Sequence, residues 1–168
     1  LERAARLRRA GDWARAQADL RALWEADRAD ATAALAYGRL CLLAGAPAEA
    51  EGPLRTAAET PGALAPFAQF LLAQSLHEQG LHGPSPESQA KDDEAARSLQ
   101  RLIALPAAGD IQERALVLLA EIQHSLGQRR DEISTWRRIL ASRPARNLDE
   151  KARFRLAQAL EGAGQARS

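Results

Sequence analysis

The sequence is 168 residues long, 46% hydrophobic but only 4% aromatic, with 23 basic and 22 acidic residues and a net charge of +1. Such a chain has apolar material for one domain, or for one stretch of a repeat array. The near balance of charge argues against a dedicated nucleic-acid binder, which normally carries a basic surplus on one face. No apolar run approaches the roughly 20 residues that cross a bilayer, so no direct membrane insertion is expected. Cys41 is the single cysteine, which precludes an internal disulfide. Ala, Leu, Arg, Glu and Gln dominate, Met is absent, and Val and Ile are scarce, so propensity predicts an all-α protein.

In chain order, apolar periodicity and punctuation predict helices over 1–10, 13–27, 31–44, 47–59, 66–79, 86–105, 111–126, 129–142 and 148–163. Asp12 reads as an N-cap before Trp13. Asp110 with Glu113, and Asn147 with Glu150, have capping-box spacing. Pro66 stands where a first helical residue would, and Pro144 just past a helix end. Pro53 falls inside the fourth predicted helix, where a bend or a late start is expected. The stretch 81–93 holds about ten extra residues, and either Ser85-Pro86-Glu87 opens a lengthened helix there or the segment is a flexible loop.

A repeat organises these elements. Segments ending in glycine recur at Gly11, Gly45, Gly80, Gly127 and Gly164, at spacings of 34, 35, 47 and 37 residues. Seven places before each glycine stands a small residue: Ala4, Gly38, Ala73, Ala120 and Ala157. Five places after the first two stands Ala16 or Ala50, and four further on Leu20 or Leu54. The fourth copy holds Glu132 and Trp136 at these two places. The physical reading is a helix pair joined by a tight turn. The glycine takes the left-handed position that ends the first helix, and the small residue lets two backbones cross closely. One such pair cannot bury its apolar face, so neighbours must stack.

Tyr37, Gly38, Gly45, Ala50, Leu54 and Ala57 in one unit, and Leu116, Ala120, Gly127, Trp136 and Pro144 in another, resemble the tetratricopeptide repeat, a 34-residue helix–turn–helix. The resemblance covers nearly the whole chain, although other helical-hairpin repeats with periods near 36 to 40 also fit the longer spacings. It implies a right-handed superhelical solenoid of antiparallel helix pairs, about four repeats plus a terminal helix. The units fall at about 1–30, 31–65, 66–109 with the insert at 81–93, and 110–146, followed by a terminal helix at 147–163. Leu replacing Gly38 or Ala120 should overpack a helix crossing.

The resemblance also implies a concave groove lined by the first helix of each unit. Its candidate residues are Arg8 and Arg9 in the first unit, and Arg39 and Leu42 in the second. The third unit contributes Phe70, Gln74, His77 and Glu78, the fourth Val117, Glu121 and His124, and the terminal helix Phe154 and Gln158. A partner peptide or helix would lie there; the alternative is an ordinary solvated face. Family members that grip a chaperone's C-terminal carboxylate use Lys and Asn at set places. Here Leu1, Ala5, Arg39, Phe70 and Gln74 stand at those places, so that activity is not expected. His77 and His124 share one register beside Glu78 and Glu121. A shared metal ion is one reading and two histidines a repeat apart the other; no metal or other cofactor is expected. Arg3, Arg6, Arg8 and Arg9 read as a solvated basic face, Cys41 as a small core residue, and Trp13, Trp24, Trp136 and Tyr37 as packing.

No G-x-S-x-G, H-E-x-x-H, C-x-x-C or phosphate-cradling loop occurs, so no enzyme is expected. The expected role is a protein–protein interaction scaffold. The alternative is a structural module that self-associates through its repeat ends or its insert. Lys91 and Lys151 are the only lysines, and this Arg- and Ala-rich usage suggests a GC-rich bacterial source. The chain starts at Leu1 rather than Met, as an excised or processed piece would, and carries no address that separates cytoplasm from periplasm.

Overall fold

The computed structural model describes residues 12–81, 85–105 and 109–165; the side chains of 109, 110 and 165 are left aside. Eight helices follow one another among these residues: α1 (Trp13–Ala26), α2 (Ala31–Leu43), α3 (Pro47–Glu59), α4 (Ala65–Gly80), α5 (Pro86–Ile103), α6 (Gly109–Ser125), α7 (Arg129–Ala141) and α8 (Arg146–Gln165). The first predicted helix, with Arg8 and Arg9, lies outside the described residues. Each helix packs on the next in line. In addition α2 touches α4, and α4 touches α6. Neighbour-only packing of this kind makes a helical-repeat solenoid.

The turns show why the chain doubles back. At Gly45 φ is +71° and at Gly127 +69°. Around each, two backbone bonds close the helix end: Gly45 N–H donates to Leu42 O at 3.0 Å and Ala46 N–H to Cys41 O at 2.9 Å, while Gly127 N–H donates to His124 O at 3.1 Å and Gln128 N–H to Gln123 O at 2.8 Å. This is the Schellman arrangement, which satisfies carbonyls the helix leaves orphaned. Gly80 and Gly164 behave differently from the expectation. Both lie within helices and neither has a positive φ. After Gly80 the next helix begins six residues on, so no tight reversal is required there.

Helix starts follow local chemistry. Asp12 accepts from Arg15 N–H at 3.3 Å, and Asp30 from Thr32 and Ala33 N–H at 2.8 and 3.1 Å. Ser85 accepts from Ser88 N–H at 3.0 Å with Pro86 at the first helical position, so the insert does lengthen α5 to 18 residues. The late start expected at Pro53 does not occur: α3 begins at Pro47 and runs through a buried Pro53. The two later capping boxes are also corrected. Asp110 is already inside α6. Asn147 lies in the first turn of α8, accepting from Leu148 N–H at 2.9 Å, while Glu150 pairs with Arg146 at 3.0 Å.

One continuous core runs through the stack. Ala16, Leu20, Ala50, Leu54, Ala57, Leu76, Leu99, Leu102, Ile122, Trp136 and Ile139 are buried in it. Gly38 marks the closest crossing: a Cβ there would sit 2.5 Å from Leu54 Cγ and 3.3 Å from Ala50 O. Trp136 occupies the place of Leu20 and Leu54, as the repeat requires, and is 1% exposed. Trp24 stacks on Tyr37 with ring centroids 5.6 Å apart under the Arg28 guanidinium, whereas Trp13 is largely exposed rather than packed. A polar seam ties α3, α4 and α5. Ser75 Oγ donates to Pro47 O at 2.7 Å, Gln79 to Glu51 at 3.1 Å, and Arg55 bridges Glu51 and Glu94 at 3.0 and 2.6 Å. Burial works to raise the Glu51 carboxyl, but hydrogen bonds from Gln79 and Arg55 and the nearby Lys91 outweigh it and hold the group below its usual range.

Candidate functional site

The repeat register sorts the first helices of the pairs, α2, α4, α6 and α8, into an inner and an outer set of positions. Seven residues before the turn glycine, Gly38, Ala73 and Ala120 are buried at the crossings. One residue further on, Arg39, Gln74, Glu121 and Gln158 all reach solvent. Two of these four are tied down locally, Gln74 by Glu78 at 2.8 Å and Glu121 by Lys151 of α8 at 2.8 Å. Arg39 lies over the Phe67 ring at 5.9 Å. Leu42 and Val117 are half-buried in the same helices.

The two phenylalanines among the candidate groove residues part company. Phe70 is 5% exposed and lies beneath the Arg114 guanidinium at 4.7 Å, so it belongs to the core. Its counterpart Phe154 on α8 is 63% exposed. The expectation for Phe70 is therefore corrected: α4 sits between two neighbouring pairs, and its register is covered on both sides.

His77 and His124 are brought to one place. Together with Ala120, Glu121, Glu132, Trp136 and Arg155 they line a cavity of about 210 Å³ between α4, α6, α7 and α8. His77 Nδ1 lies 2.7 Å from Oδ1 of the buried Asp92, whose other oxygen accepts from Ser125. His124 Nδ1 stands 3.0 Å from Glu132 and 2.6 Å from the Arg129 guanidinium. Glu132 is 2% exposed and also meets Arg129 at 2.8 Å, which offsets the burial of its charge. Among the described residues no group of three His, Cys, Asp or Glu side chains is disposed to hold a metal ion.

Sequence reasoning missed Asp92, Glu132 and Arg155 as members of this constellation. Glu132 did leave a signal, a carboxylate at the position where the first two units carry a buried Ala. Asp92 and Arg155 left none, because their roles depend on how α5 and α8 lean on α4 and α6.

Two further clefts lie elsewhere. One of about 790 Å³ opens between the Gly45 turn and the start of α5, with Glu49, Gln79 and Lys91 among its walls. Another of about 470 Å³ lies between α3, α4 and α5, beside Arg55, Gln69 and Arg101. On α2, Tyr37 donates to Glu49 and packs beside Cys41. Burial raises the phenol well above its usual range, and the hydrogen bond to Glu49 adds to this. Burial likewise pushes the Cys41 thiol up to about 11, which leaves it protonated and inert.

The fold and these sites define a helical-repeat protein built from stacked helix pairs. Among the solved structures that share the fold are two crystal structures of MamA. One is 18% identical with a TM-score of 0.66, covering 98% of this chain and 97% of that chain; the other is 18% identical with a TM-score of 0.67, covering 94% and 86%. No protein-family model matches the chain, and no curated protein matches it either.

Proposed function

We propose that the chain is a tetratricopeptide-type scaffold that holds a segment of another protein along the helices α2, α4, α6 and α8. The observation that carries this reading is the row of Arg39, Gln74, Glu121 and Gln158. These are polar, solvent-reaching side chains at one register of four helices whose preceding positions are small and, in three of the four, buried. A surface that repeats at the pitch of the stack suits an extended or helical ligand of repeating contacts. The candidate groove comprises Arg39, Leu42, Gln74, His77, Glu78, Val117, Glu121, His124, Phe154 and Gln158. Because Phe70 lies in the core, a charge placed there would test folding rather than binding. The suitable variant is Arg39→Glu with Gln158→Glu, both at exposed positions. Affinity capture from the native organism's lysate, with the folded variant beside the parent, tests the reading. A partner kept by the parent and lost by the variant supports it; a partner retained equally by both moves the site off this face.

A second reading, self-association, is favoured by one observation on α8. Phe154 and Leu160 stand at the registers of Leu35 and Phe70, and of Cys41 and Leu76, all four of which are buried. On α8 they are 63% and 44% exposed. An apolar face of this kind is a contact surface for another helix. Light scattering across concentration separates the readings: an oligomer dissolved by Phe154→Glu supports assembly, and a strict monomer removes it.

A further inference from the structure

The helix α8 leaves open a face that its counterparts in the stack keep covered. Ala157 stands at the crossing register, where Gly38, Ala73 and Ala120 are buried, yet Ala157 is exposed. Three residues to either side of it stand Phe154 and Leu160, 63% and 44% exposed. Four residues to either side stand Arg153 and Glu161, both exposed as well. Arg153 meets Asp149 of its own helix at 2.6 Å, and Glu161 has no ion pair or hydrogen bond among the described residues. The fully buried side chains of α8, Ala152 and Ala159, lie on the opposite side of the helix.

About Ala157 these residues are arranged so that the face complements itself. In an antiparallel helix pair with a two-fold axis at Ala157, a residue some places before it falls level with the residue as many places after it in the other copy. Phe154 then falls level with Leu160 of the partner subunit, and the axis repeats this apolar layer on its other side. Arg153 falls level with Glu161 of the partner subunit, so opposite charges meet at both ends of the contact. A parallel pairing would set each of these charges against its own copy, which repulsion disfavours. At the centre Ala157 lets two backbones approach, as Gly38 does where α2 crosses α3.

We propose that α8 is the interface of an antiparallel two-fold homodimer centred on Ala157, with Phe154 packed beside Leu160 of the partner subunit and Arg153 paired with Glu161 of the partner subunit. The inference rests on the self-association reading above and deepens it, since it makes the occupant a second copy of this chain and fixes its orientation. One helix on one helix buries less than the roughly 1,600 Å² of a standard interface, so the dimer is weak and forms as concentration rises. An isologous contact closes at two copies and builds no filament.

The test is sedimentation equilibrium across concentration on the parent, Phe154→Glu, Arg153→Glu and Glu161→Arg, each variant first checked for an unchanged helical circular dichroism spectrum. The parent is expected to form a dimer and nothing larger, and Phe154→Glu to abolish it. Arg153→Glu and Glu161→Arg should each weaken the dimer about tenfold, because the two-fold axis sets like charges level twice. An equimolar mixture of these two variants should regain the parent's affinity, because the mixed dimer sets opposite charges level at both ends again. A strict monomer, or an association that survives Phe154→Glu, overturns the self-association reading itself and leaves the face to a helix of another chain. An association that Phe154→Glu abolishes, but that grows beyond two copies or is not recovered by mixing, keeps that reading and overturns the antiparallel two-fold.

Discussion

Two residues carry consequences that can be measured singly. The first is Gly38, where the backbones of α2 and α3 meet. An added methyl would stand 2.5 Å from Leu54 Cγ, a distance no real Cβ tolerates, and Leu54 is fully buried with nowhere to retreat. Gly38→Ala is therefore expected to cost about 1–3 kcal/mol by overpacking. Leu54→Ala opens a cavity and costs roughly 2–5 kcal/mol alone. Because each change makes room for the other's defect, the double variant should lose clearly less than the two single losses together, as urea denaturation of all three would show. Strict additivity would mean that the two side chains do not meet. The second residue is Cys41, which stands beside Tyr37. Both groups titrate above their ordinary values in the folded chain, Cys41 from 9.0 to about 11. The unfolded chain thus loses its protons first, and folding stability declines as pH rises from about 9 toward 11. The thiol's share of that decline is on the order of 2 kcal/mol. Thermal melts between pH 8 and pH 11 should fall less steeply for Cys41→Ala than for the parent; parallel curves would remove the thiol from the account.

At the scale of helices and turns, the sequence carried most of what the fold contains, for a reason visible in α2 and α3. Their boundaries lie within one residue of the predicted 31–44 and 47–59 because Asp30, Gly45 and Pro47 each impose one backbone state on the chain. The same rule misled at Gly80 and Gly164. Their surroundings match those of Gly45, but only a connection of two or three residues forces a left-handed glycine. The link from α4 to α5 is longer, and Gly164 lies inside α8. This difference predicts opposite signs for one substitution. Gly45→Ala places a Cβ at φ +71° and is expected to destabilise by about 1 kcal/mol, although nothing stands within 4 Å of it. Gly164→Ala, helical and equally unobstructed, should gain up to about 0.5–1 kcal/mol. Melting temperatures of the two variants would decide this, and a loss at both positions would show that Gly164 needs glycine after all. The site was less legible than the turns. Arg39, His77, Glu121 and Gln158 could be placed by counting from a glycine, since register is periodic. Phe70 could not, because whether a register position is covered depends on the neighbouring pair and not on its own helix.

Across the whole molecule, stability is carried by contacts between neighbours, and it cannot be uniform. The helix α4 buries Ala68, Phe70, Leu71, Leu72, Ala73, Ser75 and Leu76, and packs on α3 and α5 while touching α2 and α6. The helix α8 is longer, yet its fully buried side chains are Ala152 and Ala159, both small. It is held chiefly by α7, with the Lys151–Glu121 pair as a link to α6. At about 25 cal/mol per Å² of apolar burial, two alanines contribute far less than the Phe and Leu side chains of α4. In a stack that couples only nearest neighbours, an element with one main neighbour opens before the elements between two. Native-state hydrogen exchange should therefore show α4 amides opening near the global unfolding free energy and α8 amides opening several kcal/mol below it, with α6 and α7 still protected. The two readings of function make this gradient informative. If Phe154 and Leu160 form a contact between copies, raising the protein concentration should slow exchange in α8 selectively, because association adds the missing neighbour. If a partner segment lies along α2, α4, α6 and α8, exchange in α8 should not depend on concentration and should slow only when that partner is present. Equal protection of α4 and α8 in dilute monomer would contradict the neighbour-only account of the fold.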